Sequence, residues 1–99
     1  MNIEDIKSNV RKYCHQYHVK SLDVFGSVAR GDYRKASDMD FFVEFEDSVP
    51  REYSKRFFGL LHSLEDAFHC NIDLLTAGSI RKKSLRKKIE MDRICLYEG

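Results

Sequence analysis

Residues 38–45 alternate between apolar and polar side chains, and this alternation restricts the fold more than any other pattern in the chain. One set of alternate positions holds Met39, Phe41, Val43 and Phe45, and the other set holds Asp38, Asp40, Phe42 and Glu44. A period of two is typical of a β-strand, whose successive side chains point to opposite faces of the sheet. The sequence therefore predicts a strand over 39–45 with one face in the core and acidic groups on the other.

Helical and extended patterns alternate along the whole chain. Helices are predicted from Asn2, which can cap the first, to about His18, from Ser48–Pro50, and from a Ser79 cap to about Met91, with strands at 21–25, 70–76 and 93–97. A turn or short helix follows Gly26. The order α-β-(α)-β-α-β-α-β predicts an α/β fold, a small mixed sheet flanked by helices. We expect a single domain over residues 1–99, because no linker, internal repeat or low-complexity tract divides the chain.

Composition argues against several classes of protein. The formal net charge is +1, so we expect no direct nucleic-acid binding by the surface as a whole. The three cysteines show no paired spacing, which favours a reducing compartment over a disulfide framework. We find neither a signal peptide pattern nor an apolar run of the roughly 20 residues that cross a bilayer, and we expect a cytoplasmic protein without a membrane partner.

Asp38 and Asp40 are two residues apart on the predicted strand, so their carboxylates leave the same face. Carboxylates held this close repel each other unless a cation lies between them, and their hard oxygens suit Mg²⁺. Asp73 lies on another predicted strand. If the two strands are neighbours, three carboxylates converge and could hold two metal ions. An Asp-x-Asp pair alone is more commonly a solvated strand face.

Gly26 and Ser27 end a predicted strand and begin a turn. A missing side chain at Gly26 would let a phosphate approach the backbone, and the Ser27 hydroxyl could donate a hydrogen bond to it. Arg30 could add positive charge there, or could brace the loop by pairing with Asp32 or Asp38. A Gly-Ser turn alone is usually only a turn, so the prediction depends on its joint occurrence with the aspartates.

These separated segments together resemble a known signature. They are Gly26-Ser27-Val28-Ala29-Arg30-Gly31, then Ser37-Asp38-Met39-Asp40, then Asp73. The combination resembles that of the DNA polymerase beta-like nucleotidyltransferase superfamily, and the short chain is similar to its minimal nucleotidyltransferase (MNT) group. Val28 departs from the pattern, since many relatives carry a basic residue there.

The resemblance implies a role for each matching residue. Gly26 and Ser27 would hold the triphosphate of ATP, with Arg30 and Ser37 as further nucleotide contacts. Asp38, Asp40 and Asp73 would be the catalytic residues and the ligands of two Mg²⁺ ions, and Asp73 would also help to deprotonate the attacking hydroxyl.

The resemblance also implies a reaction and a partner. Members of the MNT group commonly act as antitoxins that transfer AMP from ATP to a tyrosine of a HEPN-type ribonuclease toxin, with which this chain would then assemble. Two alternatives stay open. The domain could neutralise a toxin by binding alone. It could also modify a small molecule as antibiotic-modifying relatives do, although those need a second element to hold the acceptor and 99 residues leave little room for one.

The last predicted helix is strongly basic. It carries Arg81, Lys82, Lys83, Arg86, Lys87 and Lys88, while Ile80, Leu85 and Ile89 supply its apolar side. The basic face is either simply solvated or a contact surface for an acidic partner or for nucleic acid, and the absence of interleaved aromatic residues favours a protein partner over nucleic acid.

Overall fold

The computed structural model describes residues 2–31, 38–80 and 82–99. Its helices are α1 (Ile3–Gln16), α2 (Gly26–Ala29), α3 (Pro50–Phe68) and α4 (Lys83–Asp92). Its strands are β1 (Val19–Phe25), β2 (Asp38–Phe45), β3 (Asn71–Leu75) and β4 (Ile94–Glu98). A 3₁₀ turn at Ala77–Ser79 lies between β3 and α4. The predicted order of helices and strands is confirmed.

The four strands form one mixed sheet in the order β3-β2-β1-β4. β1 is antiparallel to both of its neighbours, β2 and β4. β2 and β3 are parallel, which is possible because α3 carries the chain back across the sheet between them. β3 is an outer strand. The expected fold class, a small mixed sheet flanked by helices, is confirmed.

The main core lies between one face of the sheet and the two longer helices, α1 and α3. It contains Ile6, Val10, Cys14, Leu22, Val24, Met39, Phe41, Val43, Leu60 and Leu64, all of them nearly inaccessible to solvent. The apolar side chains of β2 face this core, as the alternation predicted. The alternate side chains of β2, which include its acidic residues, therefore lie on the opposite face of the sheet.

A smaller apolar cluster covers part of that opposite face. Phe25, Ile80 and Ile89 are buried in it, with Phe42, Leu75 and Leu85 packed against them. The predicted apolar side of α4 is thereby confirmed, and this helix shields only part of the face. None of the helices in the described part of the chain has the length and apolar character needed to span a membrane.

Local signals at the helix ends were predicted with mixed success. Asn2 does cap α1: its side chain accepts a 2.9 Å hydrogen bond from the Asp5 backbone N–H. The helix ends at Gln16, two residues before His18, which has a left-handed φ of 56°. The prediction that Ser79 caps the last helix is wrong, because its hydroxyl closes the preceding turn onto Thr76 and α4 begins only at Lys83.

Helices α1 and α3 meet where Gly59 packs against the ring of Tyr17. A Cβ atom at Gly59 would overlap Cε1 of that ring and lie 2.8 Å from Cζ. The Tyr17 hydroxyl lies 3.3 Å from the Ser63 Oγ on α3, within hydrogen-bonding distance. Gly59 thus permits close helix packing, although glycine inside a helix costs about 1 kcal/mol relative to alanine.

We predict that Gly59→Ala lowers the free energy of unfolding by about 1 kcal/mol, because overpacking against Tyr17 outweighs the gain in helix propensity. Urea unfolding of the full chain measures it. In a Tyr17→Ala background the same change should stabilise the protein, since the ring is gone. Gly78→Ala is the control, because a Cβ there meets nothing within 4 Å. A loss of the same size in both backgrounds would contradict the packing explanation.

Candidate active site

The parallel pairing of β2 with β3 brings the three predicted aspartates to one face of the sheet. Asp40 is the register partner of Asp73, and Asp38 is the partner of Asn71. Paired residues on neighbouring strands, whose backbones lie about 4.8 Å apart, point to the same face. Asp38, Asp40 and Asp73 therefore share the face that α4 partly covers, and we call it the acidic face.

The ionised form of the Asp40 carboxylate is disfavoured by its surroundings. Its side chain is half-buried, whereas Asp38 and Asp73 are exposed. Burial raises the pKa of Asp40, and the negative charges of Asp73 and then Asp38 raise this pKa further. The positive charges of Arg30 and Lys88 act in the opposite direction but leave the pKa above its ordinary value. Asp40 thus carries a repulsion that the side chains around it do not fully compensate.

The aspartates share a face without forming a closed metal cage. Over residues 2–31, 38–80 and 82–99, no three His, Cys, Asp or Glu side chains form a group that could hold a metal ion by themselves. The donor set nevertheless fits Mg²⁺, which typically takes one or two carboxylates and completes its shell with phosphate oxygens and water. A substrate phosphate would then supply the ligands that the protein does not.

The absence of a side chain at Gly26 makes room for the Asp40 carboxylate. Gly26 is buried, with a φ of 74°, and a Cβ atom on it would overlap the Oδ2 of Asp40. The carboxylate therefore lies directly against the Gly26 backbone, where β1 ends and α2 begins. Ser27 follows, half-buried, and none of the hydrogen bonds among the described residues uses its hydroxyl. Gly26 and Ser27 thus adjoin the aspartates, as their order along the chain suggested.

Arg30 makes a contact that the sequence did not suggest. Its Nη1 donates a 2.7 Å hydrogen bond to the Oδ2 of Asp92 and forms an ion pair with it, joining α2 to the end of α4. The guanidinium still lowers the pKa of Asp40. Ser37 and Asp32, the other residues considered for this loop, lie outside the described residues.

The open part of the same face contains an ion pair between a buried carboxylate and a half-exposed arginine, which sequence reasoning missed. Asp23 on β1 is 4% exposed, and its Oδ2 lies 3.1 Å from Nε of Arg93. Burial raises the pKa of Asp23, while Arg93 opposes the rise. The signal was an acidic residue between two buried apolar neighbours, Leu22 and Val24. This pair borders a cavity of about 410 Å³ and closes the face on the β4 side.

We predict that Asp40→Asn stabilises the metal-free protein at neutral pH. Because the pKa of Asp40 is raised on folding, its ionised form is less favourable in the folded state than in the unfolded chain. The free energy of unfolding is therefore reduced once the pH exceeds the ordinary value of about 3.9, and the reduction is complete above the raised pKa. Urea midpoints in EDTA should be higher for the variant at pH 7 and equal to wild type near pH 3.

Asp66→Asn, an exposed change on α3, provides the control for charge removal in general. An unchanged midpoint for Asp40→Asn at pH 7, or a gain of the same size for Asp66→Asn, would show that Asp40 is not electrostatically strained.

We also predict that Gly26→Ala destabilises the protein more than Gly31→Ala does. Both glycines have a left-handed φ, 74° and 83°, so alanine costs about 1–2 kcal/mol of backbone strain at either position. Only Gly26 has Asp40 in the way, and overpacking adds roughly 1–3 kcal/mol. Chemical denaturation measures the difference. In an Asp40→Ala background the two glycine substitutions should cost the same, and a persisting difference would contradict the contact.

Comparison with known proteins identifies the family. Residues 7–96 match the family described as nucleotidyltransferase domain. A Methanocaldococcus jannaschii protein, provisionally named a protein adenylyltransferase, is 35% identical over 96 residues, which cover 93% of this chain and 95% of the relative. The protein adenylyltransferase MntA of Thermococcus cleftensis is 28% identical over 85 residues, covering 82% and 83% of the two chains.

Solved structures share the fold. A provisionally named minimal nucleotidyltransferase has a TM-score of 0.69 at 26% identity, with 95% of each chain covered. A toxin–antitoxin structure with AMP-PNP has a TM-score of 0.71 at 19% identity, covering 94% of this chain and 73% of the other. A complex of MNT antitoxin with a tri-AMPylated Shewanella oneidensis HEPN toxin has 0.66 at 16%, covering 98% and 73%. At these last two identities the likeness shows the fold alone. With a family match over nearly its whole length, this chain belongs to the nucleotidyltransferase domain family and is an enzyme of that class.

Proposed function

We propose that this nucleotidyltransferase transfers AMP from ATP to a tyrosine hydroxyl of a HEPN-type toxin and thereby acts as its antitoxin. The observation that carries the proposal is the acidic face, on which Asp40 lies against the Gly26 backbone and in register with Asp73. Carboxylates brought together in this way are most stable when a divalent cation lies between them. A nucleoside triphosphate brings such a cation with it.

Each residue of the site has a task in this proposal. Asp38 and Asp40 on β2 and Asp73 on β3 would supply the oxygen ligands for two Mg²⁺ ions. Bound Mg²⁺ would neutralise phosphate charge and make the acceptor hydroxyl easier to deprotonate. Gly26 leaves room for the Asp40 carboxylate, and the Gly26 backbone and the Ser27 hydroxyl would contact the triphosphate beside it.

The remaining predicted contacts, Arg30 and Ser37, have a supporting place in the proposal. Arg30 is held by Asp92, so it acts on the nucleotide through its charge and by fixing α2. Ser37 would contact the nucleotide from the segment directly before Asp38.

The reaction is a displacement at the α-phosphorus of ATP. The acceptor hydroxyl loses its proton to the carboxylate of Asp73, and its oxygen forms the new bond to phosphorus. The bond from phosphorus to the bridging oxygen breaks, and pyrophosphate leaves with that electron pair. The protein contributes positioning and charge neutralisation and forms no covalent intermediate of its own.

The acceptor is proposed from the relatives. Proteins named adenylyltransferases are similar over most of this chain, and the antitoxins with the same fold occur in complexes with HEPN toxins, one of them AMPylated. This chain covers 73% of that antitoxin chain, so its acceptor contacts are proposed for the shared part only. We place the reaction in the cytoplasm, where ATP is abundant and the free thiols of Cys14, Cys70 and Cys95 stay reduced.

We predict that Asp38→Asn and Asp73→Asn each lower AMP transfer roughly 100-fold or more, because each removes negative charge that holds the metal ions. The protein that co-purifies with the chain is incubated with ATP and Mg²⁺, and its intact mass is followed over time. Wild type should add one or more AMP units. Asp66→Asn should transfer at the wild-type rate, and both site variants should still bind the partner.

Two results would contradict the proposal. Undiminished transfer by either site variant would remove the assigned aspartates from the chemistry. Silencing of the partner by the Asp38→Asn variant without ATP, at the wild-type level, would instead favour an antitoxin that works by binding alone.

A further inference from the structure

Helix α4 covers part of the acidic face and lies next to the aspartates. Its buried residue Ile89 and its half-buried Leu85 belong to the apolar cluster that contains Phe42 and Leu75. Phe42 is two residues beyond Asp40 on β2, and Leu75 is two residues beyond Asp73 on β3, so each pair shares a face. The apolar contacts that hold α4 on the sheet are therefore the direct neighbours of the aspartates along both strands.

The ion pair between Arg30 and Asp92 fixes which flank of α4 is turned toward the site. Asp92 reaches α2, the short helix that begins at Gly26, and α2 and α4 are in contact. Lys88 precedes Asp92 by four residues, one turn of helix, and so lies on the same flank. Lys87 is offset from Ile89, the buried residue, by about 200° and faces solvent.

Among the described residues, Lys88 is a cation on this flank that has no ion-pair partner. Arg30 is already paired with Asp92 at 2.7 Å, whereas no carboxylate in the described part of the chain forms an ion pair with Lys88. The Lys88 ammonium is close enough to Asp40 to lower the pKa of that carboxyl. Within α2, the buried Val28 brings no charge to the turn formed by Gly26 and Ser27. In addition to Arg30, whose charge is shared with Asp92, α4 therefore supplies a second cation close to Asp40.

We infer that Lys88 is a positioning residue that binds the terminal phosphates of ATP and keeps its contact with pyrophosphate as that group leaves. The inference rests on the proposed function for the identity of the nucleotide. ATP together with three carboxylates carries more negative charge than two Mg²⁺ ions neutralise, so a further cation beside Asp40 is favourable. A lysine ammonium binds phosphate oxygens as a compact point charge. AMP, which lacks the terminal phosphates, would not reach it.

The inference is tested by calorimetric titration of the full chain with Mg·ATP and, separately, with Mg·AMP, no acceptor being present. Lys88→Ala should weaken ATP binding about tenfold or more, as expected for loss of a hydrogen bond to a charged group, and change AMP binding less than about twofold. Lys88→Arg should restore most of the ATP affinity. Lys87→Ala, the same change on the solvent side of the helix, should leave both affinities at the wild-type level.

The outcomes separate this inference from the proposed function. Equal weakening of ATP and AMP by Lys88→Ala would indicate a structural role and overturn the inference, as would unchanged ATP binding. Wild-type chain that binds ATP but transfers no AMP to the co-purified partner would overturn the proposed acceptor and leave Lys88 in place. Absence of ATP binding by wild type would overturn both. Circular dichroism of each variant shows whether it is folded.

Discussion

The parallel pairing of β2 with β3 is the constraint on which the rest of the site depends. It sets Asp73 opposite Asp40, and a shift of one residue would turn Asp73 to the core face. The register is maintained by burial, because β2 places Phe41 and Val43 in the main core while β3 contributes Leu74 to it. The position of the acidic groups is thus a consequence of how the apolar residues pack on the other side of the sheet.

The acidic face combines repulsion with partial compensation. Asp40 is disfavoured by burial and by its acidic neighbours, and the two cations near it come from different elements, Arg30 at the end of α2 and Lys88 on α4. The proposed function accounts for this balance, because a site that is to receive a charged nucleotide with its metal ions is incomplete without them. Stability is lost at this place so that affinity for a ligand can be gained there.

Properties set by near neighbours in the chain were predictable. The alternation over 38–45 predicted β2 and the orientation of both its faces, because side-chain direction along a strand is a local property. Asn2 was predicted correctly as a cap because capping is also local. Contacts between distant elements were not. Residue type alone does not distinguish Asp92 from other acidic partners of Arg30, and only the docking of α4 on the sheet does. The capping role predicted for Ser79 was wrong because its hydroxyl donates a hydrogen bond to the Thr76 carbonyl in the turn that precedes α4. The pairing of strands around Asp73 could be stated only as a condition until the sheet order was known.

The strand order has a consequence for how the molecule is made. β1 and β4, the first and last strands, are hydrogen-bonded neighbours, so the sheet closes only when residues beyond 93 have been synthesised. A nascent chain that has emerged as far as β3 can already pair β2 with β3, yet it lacks both the helix over the acidic face and the strand beside β1. Contacts of such long sequence separation form late and slowly. During translation the carboxylates are therefore assembled before Lys88 on α4, one of the two cations that balance them.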